Sequence, residues 1–176
     1  PIGDLHITRN GSLETIVNYD SRGFKANQLD PSMGYWEYKH NAFGELVYQK
    51  DANNQITTYS YDLLGRKQSR TAPEGITSWT YHTGGNGIGQ PHFENGVSAT
   101  KEWSYDNLSR VESETLAVNG KTFTTAYNYN SFSQLIETVQ PNGVSVFHKY
   151  DNIGKLQNVR LLANDFQDAV SHTHLR

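Results

Sequence analysis

The sequence predicts an all-β fold assembled from repeated antiparallel hairpins, and three observations carry this prediction. An aromatic-x-Tyr pair recurs along the chain, and a Gly-containing motif with Pro or Asn lies about midway between successive pairs. The chain also holds 11 Tyr, 7 Phe and 3 Trp, so aromatic side chains more than Leu or Ile are expected to provide the apolar burial. Aromatic and β-branched residues favour strands, while Asn-Gly and Pro-x-Gly supply the backbone conformations of tight turns.

The repeat is clearest at residues 59–66, which read Tyr-Ser-Tyr-Asp-Leu-Leu-Gly-Arg. Four further copies lie at residues 38–45, 103–110, 127–134 and 148–155. An N-terminal copy at 17–23 lacks the first aromatic residue, and residues 79–82 keep the aromatic pair and then diverge. Self-similarity at a nearly fixed period is the signature of a repeat architecture.

The second aromatic position sets the phase of the array. It recurs at intervals of 20 to 24 residues, at Tyr19, His40, Tyr61, Tyr81, Tyr105, Tyr129 and Tyr150. One further period reaches His172 and His174, so we predict a single array of seven to eight units over residues 1–176. Because the repeat is already under way by Tyr19 and the chain opens on Pro1, we expect a piece of a larger protein.

Each unit is expected to contain two strands and two turns. One turn follows the aromatic pair, and the other lies at motifs such as Pro73-Glu74-Gly75 and Asn119-Gly120. Strands are predicted at 46–49, 55–61, 111–116, 121–129, 135–139, 143–150 and 156–161. Alternation within them places Thr57, Tyr59 and Tyr61 on one face. The result is one antiparallel meander, and 176 residues suffice for a sizeable core.

The segment at residues 83–91 is the least regular. Its sequence, Thr-Gly-Gly-Asn-Gly-Ile-Gly-Gln-Pro, replaces the usual turn and lengthens the unit. Glycine-rich loops can bind phosphate, but that site requires a following helix and usually a Lys. No helical pattern follows here or elsewhere, so a wide turn or bulge is the prediction.

The pattern Tyr-x-Tyr-Asp-x-x-Gly-Arg at this spacing resembles the YD repeat of the Rhs family, over nearly the whole chain. The resemblance is carried by Tyr59, Tyr61, Asp62, Gly65 and Arg66, by Trp103, Tyr105, Asp106 and Arg110, and by Tyr150, Asp151 and Gly154. In Rhs proteins, in B and C components of bacterial Tc toxins and in animal teneurins, such repeats form a long sheet that coils into a hollow shell. The resemblance therefore implies a curved, coiled sheet that encloses a C-terminal toxin, in a secreted or surface protein.

We assign the recurring residues structural roles. They are Tyr19, Asp20, Gly23, Tyr38, Gly44, Tyr59, Tyr61, Asp62, Gly65, Arg66, Trp79, Tyr81, Trp103, Tyr105, Asp106, Arg110, Tyr127, Tyr129, Tyr150, Asp151 and Gly154. The acidic members could be calcium ligands or catalytic carboxylates. However, Asn replaces Asp at positions 41 and 130, which a turn tolerates and a general acid does not.

Two other readings stay open at this point. The aromatic rows could stack on sugars, which would make the chain a carbohydrate- or cell-surface-binding module, or they could be the packed face of the sheet. Asp30-Pro31-Ser32-Met33 resembles the self-cleaving aspartyl motif of some Rhs shells, but Gly34 arrives one residue late.

Charge and composition disfavour other functions. The net charge is −3 without a basic run, so no nucleic-acid partner is expected, and no apolar segment is long enough for a membrane span. There is no cysteine, which removes disulfides and thiol nucleophiles. We expect no catalytic residue, metal or cofactor, and hence no enzyme. The expected partners are the rest of the repeat shell, an enclosed toxin, other copies through sheet edges, or glycans.

Overall fold

In the computed structural model, residues 5–10 and 13–162 are described, and they form two compact units that divide at residue 79. The N-terminal unit comprises β1 (Leu5–Asn10), β2 (Leu13–Tyr19), β3 (Lys25–Asp30), β4 (Gly34–His40), β5 (Leu46–Lys50), β6 (Ile56–Tyr61), β7 (Lys67–Ala72) and β8 (Gly75–Tyr81). The division falls within β8.

The C-terminal unit contains the remaining strands. They are β9 (Pro91–Asn95), β10 (Ala99–Tyr105), β11 (Val111–Val118), β12 (Lys121–Tyr129), β13 (Leu135–Val139), β14 (Ser145–Tyr150) and β15 (Leu156–Leu162). A single 3-10 turn at Gly85–Gly87 is the only helical element among the described residues.

Within each unit, neighbours in the chain are neighbours in the sheet, and every assigned pair is antiparallel. The predicted all-β antiparallel meander is confirmed, with strand ends within about two residues of those expected. The 3-10 turn departs from the expectation that the chain holds no helix. It occupies the irregular segment, where two glycines flanking Asn86 allow a tight turn.

The two faces of each sheet differ in chemistry. Residues paired across strands share a face, and one face of the N-terminal unit carries Trp36, Tyr38, Tyr59 and Trp79. The opposite face carries Tyr35, Tyr48 and short hydroxyl side chains, such as Ser60 and Ser69 with hydroxyl oxygens 2.7 Å apart. The C-terminal unit repeats this division, with Trp103 and Tyr127 on its aromatic face. Its hydroxyl face includes Ser104 and Ser113, 2.8 Å apart, and Thr115 and Thr124, 3.0 Å apart.

The expectation of a sizeable core is wrong. In the described ranges, Ala72 is the only buried apolar side chain, and the buried polar residues are Thr57 and Thr138. A hydrophobic core forms when a second layer covers a sheet, and each unit is a single layer of strands. The aromatic residues of the repeated pairs are therefore half-buried among their own neighbours.

The register shifts by one residue at the end of six strands, β2, β4, β6, β10, β12 and β14, each followed by a five-residue turn. These shifts lie at Asn18/Tyr19, Lys39/His40, Ser60/Tyr61, Ser104/Tyr105, Asn128/Tyr129 and Lys149/Tyr150. A bulge bends its strand and increases the local twist. The same local distortion thus occurs in six of the repeat copies, always before the same turn.

Candidate functional site: the repeat turns and the aromatic face

The turn after each aromatic pair, here called the YD turn, is a five-residue hairpin closed by its first side chain. In the turn at 62–66, Oδ1 of Asp62 accepts hydrogen bonds from the backbone N–H groups of Leu64 and Arg66, both at 2.9 Å. The Asp62 N–H donates to the Arg66 carbonyl at 2.8 Å, and the Gly65 N–H donates to the Asp62 carbonyl at 3.0 Å. The same pattern recurs at 20–24, 41–45, 106–110, 130–134 and 151–155.

In four of the six five-residue YD turns, the fifth residue matches the chemistry of the first, whereas Asp20 pairs with Arg22 at the third position. Where Asp opens the turn at 62 and 106, Arg66 and Arg110 close it with guanidinium-to-carboxylate distances of 2.6 Å. Where Asn opens it, the partner is an acceptor, and the Asn41 and Asn130 amides donate to Glu45 at 2.5 Å and to Gln134 at 2.8 Å. Oδ1 of the first residue thus accepts the backbone hydrogen bonds in both cases. The other polar atom of that side chain, Oδ2 in Asp or Nδ2 in Asn, determines whether the fifth residue is a donor or an acceptor.

Replacing Asp106 tests how much its ion pair with Arg110 stabilises the turn at 106–110. The hydrogen bond from Arg110, opposed in part by burial, lowers the pKa of Asp106 below its usual range. A lowered folded-state pKa contributes stability that is present above the unfolded pKa of about 3.9 and is lost as the pH falls through the folded value. We expect Asp106→Asn to keep the turn, as Asn130 does, and to lose less stability than the parent chain between pH 7 and pH 3.

The measurement is urea unfolding followed by circular dichroism at both pH values. Asp106→Ala is the matched control, because it removes the Oδ1 acceptor and should destabilise the turn at either pH. Equal acid sensitivity of Asp106→Asn and the parent chain would contradict the assignment.

Successive YD turns also touch one another along one edge of the sheet. In the N-terminal unit, the Arg22 guanidinium donates to the carbonyls of His40 and Asn41 at 3.2 and 2.7 Å. The ring of Phe24 lies so close to Gly44 that a Cβ there would be 2.6 Å from its Cζ. In the C-terminal unit, Arg110 Nη1 donates to Ser133 Oγ at 3.1 Å. In these two pairs, a turn is held by the one that follows it about 20 residues later.

The second aromatic residue of each pair ties one hairpin to the previous one. The hydroxyl groups of Tyr61, Tyr105, Tyr129 and Tyr150 donate to the carbonyls of Leu46, Pro91, Val111 and Leu135 at 2.9 to 3.0 Å. Each acceptor is the first residue of the strand that leaves the preceding YD turn. Burial raises the pKa of Tyr61, Tyr105 and Tyr129, so these hydroxyls are protonated donors at neutral pH.

The irregular segment at 83–89 is a YD turn with four extra residues. The His82 N–H donates to the Gln90 carbonyl at 2.9 Å, and the Gly89 N–H donates to the His82 carbonyl at 2.8 Å. These bonds correspond to those that close the shorter turns. Gly87 lies between His82 and Tyr105, and a Cβ there would be 2.6 Å from Tyr105 Cδ2. The segment is a wide turn, as predicted, and a strand follows it where a phosphate-binding loop requires a helix.

Cations from the chain lie over many rings of the aromatic faces. Lys25 Nζ is 4.6 Å from the ring centroid of Tyr38, Lys67 Nζ 5.1 Å from Tyr59 and 5.4 Å from Trp79, Lys101 Nζ 5.9 Å from Trp103, and Arg110 Cζ 4.5 Å from Tyr129. Such contacts are favourable because the ring face carries negative partial charge. They also occupy the ring faces on which a sugar would stack.

The recurring residues lie at the turns and at the strand ends beside them, and they do not converge on one cavity. The described residues contain no group of three or more His, Asp or Glu that could hold a metal ion. His172 and His174 lie outside the described residues. Asp30 is the last residue of β3, where its side chain accepts hydrogen bonds from the N–H groups of Ser32 and Met33 in the following turn and from the Thr15 hydroxyl.

Two sets of residues were missed in the sequence. The first is the acceptor partners Glu45 and Gln134, which aligning the fifth positions of the turns would have revealed. The second is a row of exposed apolar side chains at the third position of the YD turns, namely Phe43, Leu64, Leu108, Phe132 and Ile153. Their recurrence was visible in the alignment of the copies.

The arrangement defines an all-β repeat protein whose recurrent residues build hairpin turns and join one hairpin to the next. The family model described as RHS Repeat matches residues 40–77. The resemblance to the Rhs/YD-repeat family is thereby confirmed, with the family model matching this one stretch of the chain. A comparison with curated proteins finds no match.

Solved structures show the same fold at low sequence identity. The crystal structure of TcdB2-TccC3 without its hypervariable C-terminal region has a TM-score of 0.68 and 16% identity, and that of TcdB2-TccC3-TEV has 0.65 and 16%. A Photorhabdus luminescens Tc holotoxin pore gives 0.54 and 14%. Each match covers 93% of this chain and 11% of the other, so the chain spans about a tenth of the length of these proteins. Among the described residues, no helix has the length and apolar character needed to cross a membrane.

Proposed function

We propose that this chain forms part of the wall of a β-shell in a larger Rhs-type protein, and that the shell encloses a C-terminal toxin. The observation that carries the proposal is the single-layer sheet, because a wall needs two accessible faces and no interior of its own. The role is non-catalytic and depends on geometry. The protein acts outside the cell or at its surface, where an enclosed toxin is delivered.

The repeated bulges support a curved wall. Six YD hairpins have a one-residue register shift at the same place, so the same bend and added twist recur along the chain. Bends that repeat with one sense accumulate along a sheet into a coil. The lateral contacts between successive turns keep this curvature uniform, because each turn fixes the position of the next.

The solved structures support the proposal through their fold. One of them is described as lacking a hypervariable C-terminal region, which fits a protein whose repeats are followed by a variable segment. The present chain would contribute a similar stretch of wall, with its own C-terminal segment inside the shell.

Protease protection in the full-length protein tests the enclosure. We expect the C-terminal segment to resist a protease that digests the same segment rapidly when it is expressed alone. Electron microscopy of the same sample should show a hollow particle with density inside. Equal digestion rates in the two settings, or a particle without a cavity, would overturn the proposal.

Glycan binding is the second candidate, and the exposed parts of the aromatic rows favour it. The cations over Tyr59, Trp79 and Trp103 argue against it, since a sugar would have to displace them. We therefore expect no saturable change in Trp fluorescence when the chain is titrated with glycans selected on an array. Saturable binding that is lost in Trp103→Ala, with an unchanged circular dichroism spectrum, would favour the glycan-binding role over the wall.

A further inference from the structure

The row of apolar side chains at the tips of the YD turns is unusual for hairpin turns, which normally carry polar residues there. In the C-terminal unit, Leu108, Phe132 and Ile153 are 59%, 83% and 81% exposed. Ile88, at the corresponding edge in the wide turn, is 67% exposed. None of these side chains contributes to the hydrogen bonds that close the turns, which use backbone groups and the first and fifth side chains.

The row forms a series of apolar projections with grooves between them. Neighbouring YD turns are two strands apart, so their tips are separated by about 9.6 Å. A groove of about 570 Å³ lies between the turns at 130–134 and 151–155, lined by Phe132, Ile153 and His148 together with polar residues that include Lys149 and Asp151. A projection flanked by grooves of this kind can receive a projection from an opposing surface.

The edge carries little uncompensated charge. The guanidinium of Arg110 is paired with Asp106 at 2.6 Å, and the turn at 130–134 has neutral first and fifth residues. The turn at 151–155 carries one acidic and one basic residue, Asp151 and Lys155, so its net charge is zero. Like edges can therefore meet without strong repulsion. The same neutrality disfavours an anionic membrane surface, which is recognised by clustered unpaired Lys and Arg beside the apolar residues.

We propose that this apolar turn edge docks against the same edge of a second copy of the chain. A second copy is the expected partner because its edge is built from the same repeat and therefore has projections and grooves at the same spacing. The contact is self-complementary, as in a two-fold dimer. It differs from pairing through unpaired edge strands, because it uses side chains at the turns and no backbone hydrogen bonds.

The size of the row indicates a weak association of the free chain. Four exposed apolar side chains amount to roughly 400–500 Å², the size of a typical functional surface patch and about half of one side of a standard protein interface. The dimer should therefore form at high protein concentration and dissociate on dilution.

Sedimentation velocity of the full chain over a concentration series tests the proposal. We expect the sedimentation coefficient to rise with concentration, and the triple variant Leu108→Ser, Phe132→Ser, Ile153→Ser to associate at least tenfold more weakly. The matched control is Val97→Ser, which removes a 59% exposed apolar residue from a turn on the opposite edge and should leave association unchanged.

Cross-linking gives a second readout that does not depend on the triple variant folding. The chain has no cysteine, so Ser131→Cys at the apolar turn edge and Asn142→Cys at the opposite edge are clean probes. A bismaleimide should yield dimers from Ser131→Cys well above those from Asn142→Cys. Three results would overturn the proposal: a parent chain that stays monomeric, equal cross-linking of both probes, or binding of the parent chain to lipid vesicles that is lost in the triple variant.

Discussion

Gly44→Ala is expected to lower the free energy of unfolding by about 2–5 kcal/mol. Gly44 has φ of +84°, a left-handed conformation that costs a non-Gly residue about 1–2 kcal/mol. Its Cβ would also lie 2.6 Å from Cζ of Phe24, and relieving such a clash adds about 1–3 kcal/mol. Chemical unfolding of the chain, followed by circular dichroism, measures the change.

Gly23→Ala is the matched control for this experiment. Gly23 occupies the same position in the preceding YD turn with the same φ of +84°, but nothing lies within 4 Å of its added Cβ. Gly23→Ala should therefore lower the free energy of unfolding only by the cost of a left-handed backbone conformation, about 1–2 kcal/mol. The difference between the two variants isolates the contact between neighbouring turns. Equal losses would show that Phe24 moves away freely and that this contact contributes little.

Substitutions of Tyr129 are expected to give the second large loss of stability, a smaller one for Tyr129→Phe and a larger one for Tyr129→Ala. Tyr129→Phe removes the hydroxyl that donates to the Val111 carbonyl at 3.0 Å, which costs about 1 kcal/mol. Tyr129→Ala also removes a half-buried ring and its contact with Arg110, 4.5 Å from the centroid, for a total of about 2–3 kcal/mol. Both losses should appear in the same unfolding measurement.

Tyr127→Phe is the control for the hydroxyl. Tyr127 is the first residue of the same aromatic pair, and its hydroxyl makes no hydrogen bond to any described part of the chain. Its loss should change stability by less than about 0.5 kcal/mol. If Tyr127→Phe and Tyr129→Phe were equally destabilising, the bond to the Val111 carbonyl would not be what joins the two hairpins.

The strand ends and turns of this fold could be predicted from the sequence because the same residue types recur at the same positions in each copy of the repeat. The aromatic pair marks the end of a strand, and the interchange of Asp62 with Asn41 and Asn130 points to a turn acceptor. The wide turn at 83–89 was recognisable because it lengthens one period and leaves the aromatic positions in phase.

The missing core could not be predicted in the same way. The alternation of apolar and polar residues shows which face of a strand is apolar, but not what covers that face. The face with Tyr59 and Trp79 is therefore predicted to be buried whether a second layer covers it or only neighbouring side chains do. Lys67 covers these rings from within the same layer. The expectation of one array over all 176 residues stays a prediction.

The wide turn at 83–89 has a consequence for how such sequences vary. Its four additional residues lie inside the two hydrogen bonds that join His82 to Gly89 and Gln90, and the Tyr105 hydroxyl still reaches the Pro91 carbonyl at 3.0 Å. Length can therefore change at this point without displacing any strand. Insertions and deletions at these hairpin tips should be tolerated in evolution, and the tips are suitable places to graft a foreign peptide.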